Sequence, residues 1–421
     1  MRSVPSTTDD RPATDTAGPR PPAPTVRPAS PVPATPPVLN QPLLRPAVFG
    51  DLALHNRVVM APMTRARAAN AGLEPTAMHV AYYAQRASAG LIVTEGTWVS
   101  EEAIGFVHVP GIHREQQVAA WRRVTDAVHV LGGSIVLQLW HTGACSHPDH
   151  HGGARPLGPS AVDPRLRSFT AEGFKETVTP RAMTAADLAR TVADFGAAAE
   201  RARRAGFDGV EIGGVGTMLF AQFLNPRLNH RSDAYGGDAA GRRRLLLDVV
   251  DAVAAPWGTQ RVGVRLSPYW HDGDRFVADE PLLSDYDALV AELSVRGLAY
   301  LHLRGPDLAV PGAPADLAPG APTPDQAAFA RYRRRFDGPL IVNNGFDQAS
   351  GNAAIAAGTA DAVSYARHFV ANPDLVTRFA LGRALSPGDV RTFYGGGAEG
   401  YVDHAASGWG EGRGERAEGA G

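Results

Sequence analysis

Residues 184–216 read TAADLARTVADFGAAAERARRAGFDGVEIGGVG. Thr184, followed three residues later by Asp187, is a capping-box-like helix start, where two side chains satisfy backbone N–H groups that the first turn leaves free. Leu188, Val192 and Phe195 then fall on one face at helical spacing. Gly206 follows as a stop, because the residue past a helix end is commonly left-handed and glycine carries no Cβ to object. The apolar run 208–212 comes next. Helix, glycine stop and strand in that order are the rhythm of a parallel sheet.

The rhythm recurs in both directions along the chain. Short β-rich runs at 58–62, 90–95, 134–140, 208–212, 261–266, 299–303, 339–343 and 361–365 are expected strands. Helical patterns at 118–131, 184–205, 239–254, 284–296, 324–335 and 347–357 lie between them. An open doubly wound sheet shows the same alternation, but eight such units close most naturally into a single-domain α/β fold, the (β/α)8 TIM barrel. A barrel places its active site at the C-terminal strand ends. The residues of interest are therefore 62–64, 95–97, 138–142, 213–218, 265–268, 343–346 and 366–367. The fourth of these sets is Gly213-Gly214-Val215-Gly216, an end with almost no chemistry to offer.

The flanks differ from this body. Residues 1–40 hold 11 of the 34 prolines, with Ala, Thr and Ser between them. Such a segment buries too little apolar surface to offset its ordering entropy. The expected organisation is a disordered Pro/Ala-rich tail over 1–41, a barrel over 42–403 and a disordered Gly-rich tail over 404–421.

Bulk properties bound the rest. The chain has 421 residues, 44 % hydrophobic and 20 % charged, with a net charge of -2. Nothing in that balance points to nucleic acid or an anionic membrane. The lone cysteine, Cys145, excludes an internal disulfide and a cysteine-based metal cluster. No run of about 18 apolar residues predicts a membrane span, and the N-terminus lacks the apolar core of a secretory signal. A cytoplasmic protein, monomeric or paired through outer helices, is the simplest expectation.

Several strand ends carry chemistry. Gly345 and Arg367 follow the seventh and eighth runs, where loops of this fold often bind phosphate. A guanidinium fork suits phosphate; a surface arginine in a turn is the plainer reading. Gln138 and Arg265 end strands whose inner faces should be apolar. A buried arginine needs a partner, and a heterocycle with N–H and C=O groups would satisfy both residues, as would neighbouring loop backbone. His141, His147, His150 and His151 cluster after the third strand, but at loose spacing among Gly and Pro, so a polar loop is a better reading than zinc and no metal is expected. P-loop and G-x-S-x-G motifs are missing. The G-x-G-x-x-G match at Gly395–Gly400 has no strand before it and no helix after it, so a dinucleotide-binding reading fails on context.

The segments NRVVMAPMTRARA, TEGTWVSEEAIGF, PGIHREQQVAAWRRVTDAVH, LQLWHTG, AGFDGVEI, QFLNPRLNHRSDAYGGDAAGRRR, VGVRLSP, FVANPDLVTR and FYGGGAEGYVD together resemble the old yellow enzyme family of FMN-dependent ene-reductases, in order over about 42–403. The resemblance implies a barrel with FMN across its mouth. By position, Ala61, Pro62, Met63 and Thr64 lie beside the flavin, with the Thr64 hydroxyl near O4. Gly96 packs by the reactive edge. Gln138 bonds the pyrimidine part, and Arg265 stabilises charge at N1/O2. Gly345, Ala366 and Arg367 take the phosphate, with Ala366 where the family usually has Gly.

The family's fourth-strand motif is His, two residues, His or Asn, then Gly-Tyr. The paired residues bond the substrate carbonyl and hold nicotinamide; the tyrosine supplies a proton. Aligned through Gln222-Phe223-Leu224, these positions fall on Gly213, Gly216, Thr217 and Met218. A second departure is Ala144, where arginine is usual. Replacement donors are sought among Thr64, Trp140 Nε1, His141, Tyr269 and Tyr394, with Thr64, Trp140 and Tyr394 as the candidate catalytic residues. The expectation is an FMN-dependent oxidoreductase with weak NAD(P)H use. It would catalyse dehydrogenation, isomerisation or another atypical redox step on a natural-product-like carbonyl compound. A conventional NAD(P)H-dependent ene-reductase with relocated donors and a non-catalytic FMN-binding partner protein are the alternatives.

Overall fold

The structure, a computed structural model, describes residues 41–306 and 326–404. Eight parallel strands form its centre: β1 (Val58–Met60), β2 (Leu91–Val93), β3 (Ile135–Trp140), β4 (Gly209–Gly214), β5 (Val262–Leu266), β6 (Tyr300–Arg304), β7 (Leu340–Asn343) and β8 (Ala362–Tyr365). Each pairs with its sequence neighbour, and β8 pairs with β1, so the sheet closes. All eight expected runs are these strands; the open-sheet alternative is excluded by the closing pair.

Helices α1 (Ala77–Ala84), α2 (Glu115–Val130), α3 (Ala185–Arg204), α4 (Leu219–Leu224), α5 (Ala239–Ala254), α6 (Glu280–Val295), α7 (Gln326–Arg333) and α8 (Gln348–Ala356) surround the strands, with α9 (Arg367–Ala371) and α10 (Leu375–Leu381) near the end. The opening stretch behaves as its chemistry dictates. Thr184 N donates to Asp187 at 2.7 Å, and Asp187 N donates back to the Thr184 hydroxyl at 3.2 Å. Leu188 and Phe195 are buried, and Gly206 takes φ +83°. Helix α1 is absent from the sequence expectation; its run AMHVAYYA has no charged outer face to mark a period.

A short antiparallel hairpin, Ala47–Phe49 with Leu52–Leu54, closes the N-terminal end of the barrel. Its Phe49, Leu52 and Leu54 pack with Val59, Leu91, Val93, Val136, Tyr300 and Ile341, the apolar filling of the lower barrel. Gln41 is the first described residue. Gln41 is buried, donates to Phe379 O at 2.9 Å, and accepts from Gln348 and Asn352 at 2.7 and 2.9 Å. A buried amide whose nitrogen and oxygen both have partners is fixed in place. The expectations for 1–40 and 405–421 lie outside the described residues. No helix among the described residues is long and apolar enough to cross a membrane.

The filling is tight enough to test. A Cβ on Gly263 of β5 would overlap the Tyr300 ring, which is fully buried. Gly263→Ala is expected to cost about 1–3 kcal/mol, the usual penalty for overpacking. Urea unfolding reads this as a lower midpoint at unchanged slope.

Candidate active site

Above the apolar filling, the barrel turns polar. Glu211 of β4 is fully buried and accepts from Gln138 Nε2 at 2.8 Å. Its other oxygen bonds His302 Nδ1 at 2.8 Å, and His302 Nε2 bonds the Ser364 hydroxyl at 2.8 Å. Glu211, His302 and Ser364 belong to even-numbered strands and make one layer of inward side chains. Gln138, Arg265 and Asn343, from odd-numbered strands, make the next layer toward the mouth. Arg265 donates to Asn343 Oδ1 at 2.8 Å, and Asn343 Nδ2 donates to Ser364 O at 2.9 Å.

Charge assignment rests on burial and neighbours. Burial alone would raise the Glu211 pKa, but His302 and Arg265 more than offset it and hold the carboxyl below its usual range. Burial lowers His302. The pair is therefore a carboxylate and a neutral imidazole that donates from Nδ1 and accepts at Nε2. Gln138 must turn its NH2 toward Glu211, since a carboxylate only accepts. That leaves its carbonyl oxygen as an acceptor in the mouth. Arg265 is pushed down to about 10, chiefly by burial, and its Nε is buried without a partner among the described residues. An acceptor, a charged donor and one unspent N–H thus stand together.

The other mouth residues surround them. Ala61 is buried, while Pro62, Met63 and Thr64 are half-buried beyond the end of β1. Gly96 carries no side chain because a Cβ there would overlap the Trp140 indole. That indole stacks on Trp98 at 4.7 Å and 13°. Its Nε1 is buried with no partner among the described residues. After β7, Asn344 and Gly345 are both left-handed, at φ +91° and +77°. Arg367 opens α9 half-buried and is pushed down to about 10 by burial, against the opposing influence of Tyr394.

The end of β4 is a built turn, not a loose one. Gly216 has φ +60°, and its N–H donates to the Ser267 hydroxyl at 2.6 Å. Gln222 Nε2 donates to Thr217 O at 2.7 Å and to Thr142 O at 2.9 Å, while its oxygen accepts from Ala144 N at 2.9 Å. A Cβ on Gly213 would stand 3.2 Å from Leu139 O and 3.4 Å from the Gln138 carboxamide carbon. A Cβ on Gly216 would stand 3.8 Å from the Trp270 indole. Met218 is half-buried at the start of α4.

The sequence candidates for replacement donors separate. Tyr269 donates to Ala328 O at 3.0 Å, inside the fold. His141 is buried, and its Nδ1 accepts from Gly143 N at 3.0 Å. Burial and then His151 push it down to about 3. Tyr394 is 59 % exposed, with its ring beside Phe106 at 5.8 Å. Thr64 and Trp140 remain at the mouth. Cys145 donates to Thr217 O at 3.2 Å and is pushed up to about 12 by burial, so it supports the turn as a thiol. Among the described residues no three His, Cys, Asp or Glu side chains are grouped to hold a metal.

A profile of the NADH:flavin oxidoreductase / NADH oxidase family matches residues 42–386. The chain belongs to this family. It is an FMN-dependent oxidoreductase of the old yellow enzyme type. Relatives include 12-oxophytodienoate reductase 1 of Oryza sativa subsp. japonica, 38 % identical over 356 residues, 84 % of this chain and 90 % of that protein. Morphinone reductase is 41 % identical with a TM-score of 0.81, covering 89 % of this chain and 98 % of that one. The old yellow enzyme homologue from Zymomonas mobilis is 36 % identical with a TM-score of 0.79, covering 86 % and 99 %. One solved structure holds morphinone reductase in complex with tetrahydroNAD.

Sequence reasoning missed Glu211, His302 and Ser364, and it placed Asn343 at a strand end without its link to Arg265. The signal of the missed three was present, as single polar residues inside the apolar runs GVEI, YLHL and AVSY.

His141 gives a pH test. Its folded-state pKa lies below its unfolded value of 6.5. Stability is therefore complete above about pH 6.5 and falls as the pH drops toward 3, by roughly 4 kcal/mol in all. His141→Asn keeps an acceptor for Gly143 N but cannot titrate. The variant is expected to be less stable than the native chain at pH 7, with the difference shrinking by pH 4, measured by urea unfolding at both pH values.

Proposed function

We propose that this family member works on a conjugated carbonyl compound with a donor set other than the family's His, His/Asn and Tyr. The observation that carries the reading is Gly213, Gly216 and Met218 standing beside a mouth whose Gln138–Arg265 layer is complete. In this reading Gln138 O accepts from a flavin ring N–H, and Arg265 faces the negative charge that reduction places on the ring. Ala61, Pro62, Met63, Thr64 and Gly96 line the ring, while Gly345, Ala366 and Arg367 hold the phosphate. The fit is supported by the unspent Arg265 Nε and by the Gln138 oxygen that Glu211 turns outward. FMN, when bound, supplies hydride acceptance and donation.

The chain's own groups then limit which substrates react. Each missing oxyanion donor is worth about 3–4 kcal/mol of barrier, and a positioned acid roughly 10²–10⁴ in rate. Simple enones, which offer no further contact, should turn over poorly. Dehydrogenation, isomerisation or reduction of a larger carbonyl compound held by other groups is compatible with this pocket. Trp140 Nε1, buried and without a described partner, favours reduction with relocated donors as the second reading.

Two experiments test the proposal. Anaerobic mixing with NADH should bleach the flavin slowly, because the paired side chains that hold nicotinamide in the family are missing; fast bleaching contradicts the reading. Restoring the family's residues should raise reduction of a simple cyclic enone by about 10² or more. Gly216 is left-handed, so asparagine, which tolerates that region, is the residue to return there. The variant is Gly213→His, Gly216→Asn and Met218→Tyr together, with product mass as the readout. No gain would mean that these positions are not what limits the native protein.

A further inference from the structure

Of the side chains Glu211, His302, Ser364, Gln138, Arg265 and Asn343, only Glu211 and Arg265 carry a charge. Glu211 of β4 lies across from Gln138 of β3, and Gly213, further along β4, lies across from Arg265 of β5. The carboxylate therefore sits one layer below the guanidinium. Both are buried, Glu211 completely. They are close enough to act on each other: Arg265 helps hold the Glu211 carboxyl down, and Glu211 opposes the fall that burial imposes on Arg265. The two layers thus sum to zero charge. Hydrogen bonding alone does not call for a carboxylate here. A glutamine at 211 could turn its oxygen to Gln138 Nε2 and its NH2 to His302 Nδ1, with the imidazole proton moved to Nε2 to face the Ser364 hydroxyl. The chain instead buries a charge, which is the costlier choice.

We propose that the Glu211 carboxylate, acting through Arg265, holds down the reduction potential of the bound flavin. This rests on the reading above that Gln138 and Arg265 face the flavin ring. Arg265 meets the negative charge that reduction places on the ring, and a cation there draws the potential upward. A carboxylate behind it cancels part of that field. Burial keeps water and salt from screening the effect. The reduced flavin is then less favoured and gives up its hydride more readily. Glu211 is in this sense a positioning residue: it lies one layer below the mouth and sets the net charge that Arg265 presents there.

The test is the midpoint potential of the flavin-loaded protein, measured by slow reduction against a reference dye. Glu211→Gln removes the charge and keeps the shape. At a fixed applied potential it is expected to raise the ratio of reduced to oxidised flavin at least tenfold, an upward shift of about 30 mV for a two-electron couple. His302→Gln disturbs the same layer but keeps the carboxylate, and should leave the potential where it was. Glu211→Met combined with His302→Leu removes the charge by an apolar replacement of similar volume, an exchange that buried ion sets often tolerate. It should move the potential the same way, which covers the case of a Gln variant that does not fold. A native potential in a charge-free variant overturns the proposal, as does an equal shift in His302→Gln; either result leaves the flavin reading standing. Native FMN affinity and potential in Arg265→Met overturn the reading and the proposal together.

Discussion

A carboxylate at zero exposure inside a closed barrel must be met from every side. Glu211 sits in that position, and the upper half of the interior is arranged around it. His302 and Gln138 take its two oxygens, Ser364 takes the far nitrogen of His302, and Asn343 links the Ser364 strand to Arg265. Removing one partner of such a set leaves an uncompensated buried charge, which costs about 3–5 kcal/mol. The geometry of the mouth is thus decided one layer below it. Gln138 presents its oxygen outward because its nitrogen is committed downward, and Arg265 keeps its charge because a carboxylate faces it from beneath.

This division of labour lets the fold stand with little chemistry at the end of β4. Gly213, Gly216 and Met218 lie above the polar layer and contribute nothing to it. The turn they form is held instead by Gln222, Ser267 and the Cys145 thiol, none of which depends on a side chain at those three positions. The polar layer and the turn at the end of β4 can therefore change separately.

The barrel was legible in the sequence because each strand is a short β-rich run between turn signals, and eight such runs permit few closures. The helices with two-sided patterns, such as Ala185–Arg204, were legible for the same reason. Ala77–Ala84 was not, since it is apolar nearly all round. The mouth residues were legible by position, but their partners were not. Glu211, His302 and Ser364 sit far apart along the chain, and nothing local says that barrel stagger brings them into one layer. A lone glutamate in an apolar strand announces a buried charge; only the register says who answers it. The contacts of Gln41 were hidden likewise, because its partners lie more than 300 residues away.

The left-handed backbone at Gly216 limits what that position can accept. A residue without a Cβ lets the chain settle into a conformation that side chains avoid, and the Ser267 hydroxyl then bonds the N–H in that setting. Most side chains placed there meet a backbone that does not suit them, at roughly 1–2 kcal/mol, with asparagine the mildest case. The backbone at this turn, and not only the space around it, therefore decides which residues the position can carry.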